Sequence, residues 1–154
     1  ERNIIGDILL KCYIRTPSSV MVRRKIFEDT KWFKTHIFST DHDMWVRMGE
    51  VTKFYYLPDC LTGYRKRPGS ISTTRRLWED GFIILKDACE RYPYGLNIRR
   101  KRLAILYYRL GEYDWRHGNY YRSLSNLFLS GMLDPFRALG VMSTKIDNFS
   151  ILST

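Results

Sequence analysis

The segment Ser39-Thr-Asp-His-Asp-Met-Trp-Val-Arg-Met48 gathers the side chains best equipped for chemistry: two carboxylates two residues apart, a histidine between them, and an arginine four residues beyond the second acid. Its local structural use is plain. Asp41 caps a helix and Asp43 pairs with Arg47 at i, i+4, an arrangement that as a surface pair contributes about 0.2–0.5 kcal/mol. A chemical use is that of an Asp-x-Asp pair, Asp41 and Asp43, holding a hard divalent cation through carboxylate oxygens. Context disfavours this: such a pair ends an apolar strand, whereas Phe38-Ser-Thr40 is short and polar and a helical pattern follows. His42 reads as an exposed spacer.

Two basic segments could meet anions. In Tyr64-Arg-Lys-Arg-Pro-Gly-Ser-Ile-Ser72, Arg65 and Arg67 can neutralise phosphate charge while Ser70 and Ser72 donate hydrogen bonds, or the segment is a solvated loop. Arg99-Arg-Lys-Arg102 precedes Tyr107 and Tyr108, a mixture that suits nucleic-acid phosphates and bases. Those tyrosines fall at or beside inward helical positions, so core packing with a solvated charged face is favoured and nucleic acid is not the expected partner. Cys12, Cys60 and Cys89 have no metal-ligand spacing, and an odd count argues against a disulfide framework and for a reducing compartment.

The elements that must position these residues change character along the chain. Up to residue 73 short apolar runs are broken by Pro17, Pro58, Gly63, Pro68 and Gly69, predicting short strands at Ser19 to Arg23, Lys53 to Leu57 and Leu61 to Arg65. Among them Met44, Met48 and Val51 recur at helical spacing behind Thr40 or Asp41 as cap. From residue 74 the 3.6 period takes over. Trp78, Phe82, Leu85, Cys89 and Tyr92 mark a helix stopped by Pro93; helices follow over Asn97 to Trp115 and Tyr120 to Ser130, and a short one from Phe136 to about Lys145. Tyr107, Leu110, Gly111, Gly118, Tyr120 and Pro135 partly match a tetratricopeptide repeat, with Ser123 and Ser130 small enough for close packing and Asp114 in the place of a packing tyrosine. The expected organisation is α+β: residues 1–73 with few strands and one helix, and residues 74–154 as a mainly helical, tetratricopeptide-like extension.

The chain has 154 residues, 44% of them hydrophobic and 15% aromatic, enough for a packed core. Lys and Arg exceed Asp and Glu by 26 to 16, a net charge of +10 shared evenly between the two halves, which suits phosphates, acidic lipid headgroups or other anions. No apolar run reaches the roughly 18 residues of a membrane span, and no signal peptide is evident. The start at Glu1 suggests a processed product or a piece of a longer protein.

Three segments, in order, resemble glycosyltransferase family 2, inverting enzymes of the GT-A fold. TPSSVMVRRKIFEDTKWF is similar to that family's strand and Arg-Arg turn, STDHDMWVRM to its Glu-Asp-x-Asp-Leu-Trp-Leu-Arg helix, and FYYLPDCLTGYRKRPGSIS to its closing strands and Tyr-Arg-x-His-x-x-Ser-x-Ser tail. The resemblance spans Thr16 to Ser72 and implies the C-terminal part of a GT-A-like α/β domain. It implies Asp41 as general base, taking the proton of an acceptor hydroxyl as it attacks the anomeric carbon opposite the leaving nucleoside diphosphate. Asp43 and Arg47 would support it, and Arg65, Arg67, Ser70 and Ser72 would lie near the diphosphate. Arg67 stands where the family often has His, which puts metal dependence in question. The implied partners are a nucleotide-sugar donor and a glycan or lipid-linked acceptor in cell-surface polysaccharide or glycolipid assembly, with a divalent cation (Mg or Mn) in the full-length enzyme, although no metal ligand set is visible in this chain. The fragment alone would be inactive. It would reside in the cytoplasm, free or peripheral at the inner membrane face, and a homodimer would cover an open sheet edge.

Overall fold

A computed structural model describes residues 4–14, 16–63, 65, 74–138 and 140. Its α-helices are α1 (Ile5–Leu10), α2 (Arg24–Asp29), α3 (Thr40–Val51), α4 (Arg76–Arg91), α5 (Leu96–Arg116) and α6 (Tyr120–Leu133), with a 3-10 turn at Pro17–Ser19 and helical residues at 135–138. The chain divides into two compact units, Glu1–Ile98 and Arg99–Thr154.

No strand occurs among the described residues, so the expected α+β architecture, with its partial GT-A-like sheet, is corrected to all-α. Among the described residues the β-like segments form no ladder. Val20 has β dihedrals, yet its N–H closes the 3-10 turn onto Pro17 O at 3.1 Å. Phe54 alone shows an isolated bridge, and Tyr55, Tyr56 and Leu57 beyond it are exposed. Period-2 patterning makes a segment ready for a sheet, but a ladder also needs neighbours to take its backbone bonds, and sequence alternation cannot supply them. Of the predicted short helix after Phe136, residues 139 and 141–145 lie outside the described residues.

In the first unit α3 is the central element, touching α1, α2 and α4. Every residue from His42 to Gly49 is buried, a wider interface than the Met44, Met48 and Val51 stripe predicts, and Val51 itself is exposed. Ile8 and Leu9 of α1 and Ile84, Leu85 and Ala88 of α4 complete the core with Met44, Trp45, Val46 and Met48. The α4 pattern is displaced by part of a turn from the predicted one: Trp78 and Cys89 are only half-buried, and Asp80 and Gly81 lie inside. The shift puts a carboxylate beside the start of α3.

In the second unit α5 and α6 form a hairpin whose turn uses Gly118 at φ +78°, a left-handed conformation glycine adopts without penalty. The seam joins small and polar groups to Leu127. Ser123 Oγ donates to Gly111 O and Ser130 Oγ to Ala104 O, both at 2.8 Å, and Asn126 Nδ2 donates to the buried Asp114 carboxylate at 3.1 Å. A Cβ on Gly111 would stand 2.7 Å from Leu127 Cγ and 3.3 Å from Ser123 O, so the helices approach on glycine. Gly111→Val is expected to destabilise the protein by about 1–3 kcal/mol through overpacking, read as a lower urea midpoint.

Candidate functional site

The start of α3 is fixed from outside. Ser39 is the N-cap residue but makes no side-chain cap bond; instead Asp80 Oδ2 of α4 accepts from Phe38 N at 2.5 Å and Ser39 N at 3.0 Å, while Ser39 Oγ donates to Leu77 O. A carboxylate supplied by another helix thus satisfies the amides of the N-cap residue and of the residue before it, at the end of α3 where the helix dipole favours negative charge.

Asp43, fully buried, is held by three donors. Its Oδ1 accepts from Lys34 Nζ at 3.1 Å, and its Oδ2 from Arg47 Nε at 2.9 Å and Nη2 at 2.7 Å. Lys34 also bonds Asp87 of α4 at 2.7 Å. The rest of the Arg47 fork donates to Thr30 O and, at 2.8 Å, to Trp32 O. These carbonyls flank a turn in which Lys31 and Trp32 both have positive φ, 59° and 55°. Left-handed backbone costs a side-chain-bearing residue about 1–2 kcal/mol, and the Arg47 bonds together with Phe27–Trp32 stacking hold it in place. Asp43 and Arg47, expected to support Asp41, clamp the 30–34 turn and α4 to α3. With both its oxygens taken by cations, Asp43 does not form a chelating pair with Asp41.

His42 is buried, not an exposed spacer, and its Nε2 lies 2.9 Å from Ile8 O of α1. Trp45, 1% exposed, packs edge-on against Phe33, and its indole Nε1 has no hydrogen-bond partner among the described residues.

Asp41 differs from its neighbours. It is half-buried, and the bond its carboxylate makes is to the adjacent His42 N–H, at 2.7 Å. Just before it, Thr35, His36, Ile37, Phe38 and Arg76 line a depression of about 300 Å³, in which the Arg76 guanidinium lies 4.4 Å from the Phe38 ring centre. The ring on which Arg76 rests thus belongs to a residue three positions before Asp41. Of the other predicted residues, Arg65 is exposed, and Arg67, Ser70 and Ser72 lie outside the described residues. Of the basic run, Arg102 is buried, Arg99 and Lys101 are half-buried and Arg100 is exposed. No group of three metal-capable His, Cys, Asp or Glu side chains occurs among the described residues.

At the far end of α3, Glu50 accepts from Arg91 Nε at 2.8 Å and from Tyr94 Oη at 3.1 Å. Burial, then the charge and hydrogen bond of Glu50, push the Tyr94 phenol far above its ordinary range. For Arg91 burial works against the charged form, but the Glu50 bond and charge outweigh it and its pKa is raised. Because the folded state holds the Tyr94 proton more tightly than the unfolded state, its contribution is intact below about pH 10, the ordinary tyrosine value, and declines as pH rises above it. Tyr94→Phe is expected to flatten the loss of stability between about pH 10 and 11.5, measured as urea midpoints against pH.

Lys34, Asp80 and Asp87 carry no such signal in the sequence. They lie far along the chain from their partners, and no periodic pattern connects them; the only hint for Asp80 is a charged residue on the side of α4 that packs inward.

Comparison with known proteins finds no matching family model, no matching curated protein and no matching solved structure. With no strand among the described residues, the resemblance to glycosyltransferase family 2 is not upheld: its motif order is present in the residues, but the α/β scaffold that would give those motifs their family roles is not.

Proposed function

We propose that the chain supplies a general base to an enzyme that transfers a sugar from a nucleotide-sugar donor to an acceptor hydroxyl of a glycan or lipid-linked acceptor. The observation that carries this reading is the contrast within one helical turn: Asp43 is consumed by Lys34 and Arg47, whereas Asp41 is half-buried and, among the described residues, engaged with its own helix N-terminus. A base must sit on a rigid element and keep a lone pair within reach of the substrate proton. Asp41 meets the first condition through the Asp80 and Arg47 anchors of α3, and the second through its exposure. Arg76 and the exposed Arg65 are cations suited to a leaving diphosphate, whose charge must be neutralised as the bond breaks.

The test is release of nucleoside diphosphate from a panel of nucleotide sugars, with glycan and lipid-linked acceptors, by the protein as its gene encodes it. Activity that disappears in Asp41→Asn but survives in Asp29→Asn supports the assignment. Undiminished release by Asp41→Asn removes it.

A further inference from the structure

In α6 most of the large apolar side chains face away from α5. The side facing α5 carries Ser123, Asn126 and Ser130 with one apolar residue, Leu127, against Gly111, whereas Tyr121, Leu124, Phe128 and Met132, at i, i+3, i+7 and i+11, face outward at 86%, 60%, 68% and 68% exposure. Helices of globular proteins turn such a stripe towards the core, and a contiguous exposed apolar face marks an interaction surface. Trp115 and Tyr120, paired edge to face at 5.1 Å and both about half-exposed, stand at one end, and Phe136, 86% exposed, lies beyond the other.

The charges around this face are one-sided. Between Asp114 and Asp134 the sequence contains no acidic residue, while Arg116 and Arg122 are exposed. Asp114 is fully buried against Asn126, and Glu112 is engaged by Tyr108 and Arg109. The acid at the far end is the half-buried Asp134, whose carboxylate accepts from Arg137 N, so an isologous pairing with a second copy would answer the two arginines with one carboxylate that is already engaged. An anionic lipid surface offers the complement of both features: acyl chains for Leu124, Phe128 and Met132, an interfacial layer suited to Trp115, Tyr120 and Tyr121, and headgroup charge for Arg116 and Arg122. Among the described residues no helix is long and apolar enough to cross a membrane, so α6 would lie in the plane of the surface.

We propose that the outer face of α6 docks the protein on anionic membrane surfaces. The proposal rests on α6 alone and is independent of the role of Asp41. Flotation of the protein with phosphatidylcholine vesicles, and with vesicles containing phosphatidylglycerol, tests it. Strong binding is expected only to the anionic vesicles. Phe128→Ser with Met132→Ser should reduce it at least about tenfold, and Arg122→Ser about fivefold, the effect of one basic residue near a charged surface. These side chains are outside the seam, so circular dichroism should show unchanged helix content. Failure to float with anionic vesicles, or binding indifferent to the Phe128 and Met132 changes, overturns the proposal. So does a concentration-dependent dimer that the same changes abolish, since a second copy would then be the occupant.

Discussion

Asp43→Ala is expected to lower unfolding free energy by about 3–5 kcal/mol, the cost of leaving a buried cation without its partner. The change strands Arg47, whose side chain is 8% exposed, and removes one of the two acids that hold Lys34. Native domains have only about 5–15 kcal/mol of stability, so the loss would bring the first unit close to unfolding at ambient temperature. Asp43→Leu with Arg47→Met should recover part of it, because an apolar pair avoids the stranded charge. Recovery should be incomplete: a thioether in place of the Arg47 guanidinium cannot donate to Thr30 O and Trp32 O, and the strained turn at Lys31 and Trp32 loses its clamp. Urea unfolding of the single and double variants measures both quantities. An Asp43→Ala protein as stable as the parent would show that the network has no structural weight.

Asp41→Asn should behave in the opposite way. Its amide oxygen can still accept from His42 N–H, so the thermal midpoint should scarcely move. Loss of a general base typically lowers turnover by about 10²–10⁴-fold, and transfer should fall by that amount. Two carboxylates one residue apart from a shared neighbour would thus separate chemistry from architecture: one whose loss stops turnover without unfolding, and one whose loss unfolds the site. A defect in Asp41→Asn that followed its thermal stability would point to a structural role.

How much of this is legible in the sequence depends on where each partner lies. The helix Thr40–Val51 can be read from its apolar spacing and acidic first turn, and the Asp43–Arg47 pair from its i, i+4 interval. Burial of that pair cannot, because the covering groups come from Lys34 and from Asp87 on α4. A surface value of tenths of a kcal/mol therefore becomes a network worth several. His42 is misplaced for the same reason: α1, the helix that covers it, is remote in sequence and too short to announce itself. The strand expectations at Ser19 to Arg23 and Lys53 to Leu57 fail because alternation describes one segment, whereas a sheet is a property of several. For α6 the period is plain but says nothing about which side faces the protein. Serine hydroxyls bonded to the carbonyls of Ala104 and Gly111 reverse the usual answer.

The Asp80 clasp on Phe38 and Ser39 also bears on the order of assembly. Its two bonds span 42 and 41 residues, and the Lys34–Asp87 link spans 53, whereas the side-chain bonds that join α5 to α6 span 12 to 26. Closing long loops costs more chain entropy before any contact repays it, so short-range hairpins form sooner. During synthesis α3 would leave the ribosome well before its N-terminal amides could meet their carboxylate, and the first unit would mature only after α4 had emerged. Slow exchange of the Phe38 and Ser39 amide protons would then report completion of that unit rather than formation of the helix they precede.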